Sequence, residues 1–243
     1  MRELNELTDV DDPAWPPLQE LFASSEVPLR VLPVGDAEGR RGLLQLQVTA
    51  RSVLGSLTLN CGGLVVDDGW VRVFGGGSSA DAGSMPSLAQ VNAFPAAFDP
   101  AWQPDGALIV GQDAAGGVFA LNGADPAAHG RPGEPGQMTY FAPDTLAWEA
   151  MQFGHSQWIT WLLSDGRLEK FYEGTRWPGW REEAAALTYT QGITVYPFLW
   201  SEEAHADLAK TTRRAVPMRE VLGVAADFAR QMGPADPGFL GEV

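Results

Sequence analysis

Between Gly116 and Leu163 the chain strings together glycine pairs, short aromatic runs and one amphipathic stretch, and that order admits few folds. Gly116-Gly117 opens the apolar run Val118 to Leu121, and Asn122-Gly123 closes it with the dipeptide that best tolerates positive φ. Met138 to Phe141 reads as a second strand and Pro143-Asp144 as the turn after it. Thr145 to Met151 then makes a third strand or an extended return. From Ser156, a candidate N-cap, the residues Trp158, Ile159, Leu162 and Leu163 recur at helical spacing. Trp148 on the strand and Trp158 on the helix are expected to meet in the core.

The same reading extends along the chain. Asp11 or Asp12 before Pro13 marks a helix start, with Trp15, Leu18, Leu21 and Phe22 on one face. Asp36 caps a second helix reaching about Val48, although Gly39 and Gly42 each weaken it by about 1 kcal/mol relative to alanine. Ser56 to Asn60, Leu64 to Val66 and Trp70 to Phe74 read as a β-meander separated by Gly62-Gly63 and Asp67-Asp68-Gly69. Residues 86 to 94 predict a short helix, Ala107 to Val110 a strand, and Leu168, Phe171 and Tyr172 another short helix. Ile193 to Trp200 alternates as a strand that Pro197 confines to an edge or an end. Pro217 starts a last helix that Gly233-Pro234 stops. Stretches 75–84 and 122–137, rich in glycine with serine or proline, are expected to be flexible loops, and 234–243 a loose tail. The expected fold is a single α+β domain over 1–243. Its mostly antiparallel sheet, from residues 55 to 150 and the 193–200 strand, is flanked by N-terminal, central and C-terminal helices.

Charge then narrows function. A formal net charge of −15 repels a phosphate backbone, which disfavours nucleic acid as a partner. Lys210, Arg213 and Arg214 are the best local exception, and their place before Val216-Pro217 suggests a solvated loop. No window approaches about 18 consecutive apolar residues, so no membrane span is expected. The opening MRELNELTDVDDP is charged where a secretory signal would be apolar, which points to the cytoplasm. Cys61, the one cysteine, has no partner for a disulfide or a cysteine zinc site. An acidic surface suits a basic protein partner, and it also keeps a protein soluble.

Candidate chemistry is sparse. His129, His155 and His205 lie in separate segments with no metal-binding spacing, and neither a metal nor a cofactor is expected. No GxSxG occurs, and GGGSS lacks the ending of a phosphate loop. Asp67, Asp68, Asp113 and Asp144, with Glu149, sit near predicted strand ends and are the remaining enzyme signal, although Asp67-Asp68-Gly69 also reads directly as a hairpin turn. The aromatic content says more: Arg176-Trp177-Pro178-Gly179-Trp180-Arg181 sets two tryptophans around a tight turn, flanked by residues typical of binding hot spots. Rings covering the edge of the core, with solvated arginines, are the alternative.

The segments GGLVVDDGWVRVFGGG (62–77), FYEGTRWPGW (171–180) and TVYPFLW (194–200), with LTDVDDPAWP and LLQLQVTARSVLG, resemble a bacterial family catalogued as domain of unknown function 2625. The resemblance spans nearly the whole chain and carries no activity to assign residue by residue. The order GVFALN, YFAPDTLAWE, helix is similar to the SUKH superfamily of bacterial immunity and protein-binding domains. That likeness implies an immunity- or antitoxin-like role for what reads as a noncatalytic binding module. The acidic charge suits a basic protein partner, self-association is the other reading, and the residue types of the turn make Arg176, Trp177, Trp180 and Arg181 the candidate contacts. The alternative is a hydrolase or carbohydrate-binding protein using the carboxylates beside tryptophan in a cleft.

Overall fold

The computed structural model describes residues 1–79 and 83–243. Chain order is α1 (Leu4–Thr8), α2 (Trp15–Ala23), β1 (Leu29–Leu32), α3 (Asp36–Leu46), α4 (Val53–Asn60), β2 (Gly63–Val66), β3 (Val71–Phe74) and α5 (Leu88–Val91). It continues with β4 (Ala107–Asp113), β5 (Val118–Asn122), β6 (Gln137–Ala142), β7 (Ala147–Gly154) and α6 (His155–Leu162). The last part holds α7 (Arg167–Phe171), α8 (Trp180–Ala185), β8 (Gln191–Tyr196), α9 (Glu202–Ala206), β9 (Thr212–Pro217) and α10 (Met218–Met232). Strands β1 to β7 form one antiparallel sheet whose spatial order is the sequence order, and β8 and β9 form a separate two-stranded ribbon. The fold is α+β, as expected.

Local chemistry explains the sheet and its corrections. Asp67 and Asp68 both take positive φ in the β2–β3 turn, a conformation that aspartate tolerates better than most residues. Ser56 to Asn60 is not a strand but part of α4, capped by the Ser52 hydroxyl accepting from the Gly55 amide at 3.0 Å. The apparent alternation misleads because Ser56 and Thr58 are buried polar residues. Their hydroxyls donate to the carbonyls of Ala50 (2.6 Å) and Leu54 (2.8 Å), and a helix can bury them that way. The glycines of α3 have a packing reason. A Cβ at Gly39 would strike the Thr58 carbonyl and one at Gly42 the Thr58 methyl, so both admit the close approach of α3 to α4.

The expected 193–200 strand does not join the main sheet. It pairs with β9, ends at Tyr196, and touches the sheet where the Ile193 amide donates to the Ala114 carbonyl (2.7 Å) at the β4–β5 turn. Arg213 and Arg214 lie in β9 rather than in a solvated loop, and Arg213 pairs with Glu183 at 3.0 Å. Trp158 is fully buried against Phe119, with ring centroids 5.1 Å apart. Trp148 is only partly buried and serves another contact: Arg131 stacks over its ring at 4.0 Å, and its Nε1 donates to the Pro237 carbonyl at 2.9 Å. The 122–137 stretch is thus anchored through Arg131. The 234–243 segment is docked rather than loose: Leu240 is buried, and the Glu242 amide donates to the Val91 carbonyl at 2.8 Å. Gly75 to Gly77 pass close to α4 and Ser87, whereas 80–82 of the 75–84 stretch lie outside the described residues.

Candidate functional site

The β2–β3 turn places fully buried Trp70 at the centre of an aromatic cluster. Its ring meets Tyr172 (5.5 Å), Trp177 (5.5 Å) and Trp180 (5.1 Å) edge to face, the favoured geometry for ring quadrupoles. Arg176 enters this cage over Trp180 (3.8 Å), Tyr172 (4.4 Å) and Trp70 (4.9 Å), and its Nη2 reaches an Asp67 carboxylate oxygen at 2.7 Å. Burial lowers the Arg176 pKa, and Asp67 opposes that shift. Arg181 covers Trp180 at 4.4 Å and faces Asp68 (3.6 Å) and Glu169 (3.7 Å).

Of the two readings of the 176–181 turn, the rings follow the one in which they cover the edge of the core. Trp177 is 1% exposed and Trp180 8% exposed, because the turn folds back onto Trp70. The alternative of solvated arginines fails for Arg176 and holds for Arg181. What the turn does offer is an open groove of about 770 Å³ between α7 and α8. Arg176, Trp177, Trp180 and Arg181 all line it, and the exposed carboxylates of Glu169, Glu173 and Glu182 stand along it beside the exposed ammonium of Lys170.

The other carboxylates divide. Asp67 and Asp68 belong to the cage. Asp113, Asp144 and Glu149 line one recess beside Trp70, Tyr140 and Tyr172. Asp113 is completely buried at the β4–β5 turn. One of its oxygens accepts from the amides of Ala115 (2.9 Å) and Gly117 (2.8 Å), the other from the hydroxyls of Tyr140 (2.6 Å) and Tyr172 (3.0 Å). Burial raises its pKa despite these four donors, and it pushes both tyrosines well above their ordinary range. Gly117 is required here, since a Cβ would collide with Asp113 and the Tyr140 hydroxyl. Glu149 is raised by desolvation first and by Asp144 second. The recess holds only about 60 Å³, room for a few water molecules rather than a sugar.

A second pocket, of about 460 Å³, lies across α8 from the groove and contains residues that the sequence reading passed over: Arg30, Arg72 and Tyr189. Arg72 is 2% exposed, and its Nη1 donates to the main-chain carbonyls of Tyr189 (3.2 Å) and Gln191. An arginine inside Val-Arg-Val-Phe, an otherwise apolar strand, was the available signal.

The histidines stay apart. His129 and His205 are exposed, and His155 is buried, with its pKa lowered by desolvation to about 4. Among the described residues no three histidine, cysteine or acidic side chains group as metal ligands, and no helix is long and apolar enough to cross a membrane.

Comparison with known proteins adds relatives. The model of the family described as "Protein of unknown function DUF2625" matches residues 4–221. The chain is 38% identical to "Putative uncharacterized protein YbfG" of Escherichia coli (strain K12) over 223 residues, covering 91% of this chain and 94% of that protein. It is 26% identical to an "Uncharacterized protein" of Haemophilus influenzae (strain ATCC 51907 / DSM 11121 / KW20 / Rd) over 199 residues, covering 82% and 83% of the two chains. No solved structure matches.

Proposed function

Because the chain belongs to the family described as protein of unknown function DUF2625, whose description names no chemistry, we propose its function from geometry and charge. It is a noncatalytic, cytoplasmic protein-binding module that takes a basic segment of a partner into the groove between α7 and α8. The observation that supports this reading is an open groove with three exposed glutamates along it, beside Lys170 and Arg181, on a chain of net charge −15. Acidic side chains along a groove favour lysine and arginine and speed their encounter. Arg181 and the exposed edge of Trp180 are the expected contacts, with Glu169, Glu173 and Glu182 selecting charge. An immunity- or antitoxin-like role is one form of such a module. The hydrolase alternative has Asp113, Asp144 and Glu149 in a single recess to support it, but that volume admits no sugar.

The test is a charge reversal. The triple variant Glu169→Lys, Glu173→Lys, Glu182→Lys should lose the basic partner captured by the wild type from the native host. Hydrogen exchange of the wild-type complex should slow across residues 166–182. A variant that keeps its thermal stability and captures the same partner would overturn the reading.

A further inference from the structure

The row of residues that crosses the sheet at Val65 places two arginines on one face. Arg30 of β1 pairs with Val65, and Val65 pairs with Arg72 of β3. Directly opposed residues of an antiparallel sheet project to the same side, so Arg30 and Arg72 flank Val65 on a common face. That face carries the pocket of about 460 Å³, closed on its far side by Ala184, Leu187 and Tyr189.

The charges in this pocket do not balance. Arg72 is almost wholly buried, yet among the described residues no carboxylate lies within ion-pair distance of it. Two main-chain carbonyls receive its Nη1, which satisfies hydrogen bonds but leaves the positive charge without a contact ion pair. Asp113 attracts it at longer range, and the four neutral donors on that carboxylate hold it out of contact with Arg72. Asp68, the acid on the pocket wall, faces Arg181 at 3.6 Å. Arg30 donates through Nη2 to the Tyr189 hydroxyl at 3.2 Å and pairs with no carboxylate among the described residues. A hydroxyl that accepts from Arg30 keeps its own proton free to donate.

We propose that this pocket binds a small organic oxyanion, a carboxylate or phosphate monoester on a partly apolar body, with Arg72 and Arg30 as its charged ligands and the Tyr189 hydroxyl as a third contact. The bound anion supplies the contact ion pair that Arg72 lacks. Leu29, Val65 and Leu187 receive the apolar body, and the volume falls within the range of small-molecule sites. The chain's net charge of −15 selects by size as well: it repels an extended polyanion, whereas a single oxyanion can pass into a local positive field. Burial lowers the Arg72 pKa to about 10, which leaves the guanidinium charged at neutral pH. This site is independent of the α7–α8 groove, and neither reading depends on the other.

The full chain is titrated with benzoate, phenyl phosphate and inorganic phosphate at constant ionic strength, with backbone amides followed by NMR. Benzoate or phenyl phosphate should shift the amides of Gly69 and Leu187 saturably. Arg30→Gln, an exposed position that leaves the core intact, should weaken that binding about tenfold, the worth of one charge-assisted hydrogen bond. Arg72→Met should abolish it. If Arg72→Met does not fold, Arg30→Gln alone decides. No saturable shift up to about 10 mM of any probe, weaker than the affinities expected of a built site, would overturn the proposal. So would inorganic phosphate binding as tightly as phenyl phosphate, or wild-type affinity in Arg30→Gln.

Discussion

Arg176 and Arg72 are both arginines held against the same sheet, and the protein treats their charges in opposite ways. Arg176 has a carboxylate at 2.7 Å and three aromatic rings around its guanidinium, so its charge is answered within the fold. Arg72 is more deeply buried, has two carbonyls in place of a carboxylate, and borders a pocket. The difference teaches that burial alone does not sort a structural cation from a receptive one. Local neutralisation does, because an ion pair leaves little field for a ligand, whereas carbonyl dipoles leave most of it.

The comparison breaks first at Asp67. Asp67→Asn keeps the side-chain shape and suits the positive φ at that position, but strands the Arg176 charge, and should cost about 3 to 5 kcal/mol in urea unfolding at neutral pH. A cost below about 1 kcal/mol would mean that the rings alone hold Arg176. A third buried base sharpens the contrast, since His155 meets burial by giving up its proton. Its folded pKa of about 4 lies below the ordinary 6.5, so its contribution is complete above pH 6.5 and is lost as pH falls toward 4. The shift corresponds to about 3 kcal/mol. Asp113 acts in the opposite sense: its raised pKa makes the folded state bind the proton more readily, which adds stability on acidification. Stability curves of wild type and His155→Gln should therefore converge in shape above pH 6.5 and diverge below it. The smallest effect is expected at Arg72 itself. Arg72→Met should cost only about 1 kcal/mol, because losing two hydrogen bonds is partly offset by removing an unpaired buried charge. A loss as large as that of Asp67→Asn would show that the Arg72 charge is already neutralised without ligand.

The sheet was legible in the sequence where turn chemistry marked it. Asp67-Asp68-Gly69, Asn122-Gly123 and the 138–151 run all delimit strands or turns close to where they occur. β1 escaped because Leu29–Leu32 alternates only briefly, and α4 was misread because its hydroxyls satisfy main-chain carbonyls inside the core. The candidate site was half legible. Trp180 and Arg181 do line a groove, but the same turn buries Trp177, and no local pattern indicates that the rings fold back onto Trp70. Arg72 and Tyr189 meet across 117 residues, a distance that periodicity and motif spacing do not reach.

A sheet whose spatial order equals its sequence order never asks a strand to slip between two already joined. The β2–β3, β4–β5 and β6–β7 connections are short turns, whereas residues 33–62 separate β1 from β2 and residues 75–106 separate β3 from β4, so the sheet combines local closures with long ones. Arg72 joins two parts of the fold. It belongs to the third strand, and the carbonyls that receive it belong to residues 189 and 191, which follow the last strand of the sheet in sequence. The guanidinium is therefore enclosed only where residues 189 and 191 meet the sheet. An anion resident in the pocket would touch both parts at once and is expected to hold them together, stabilising the folded state by its binding free energy.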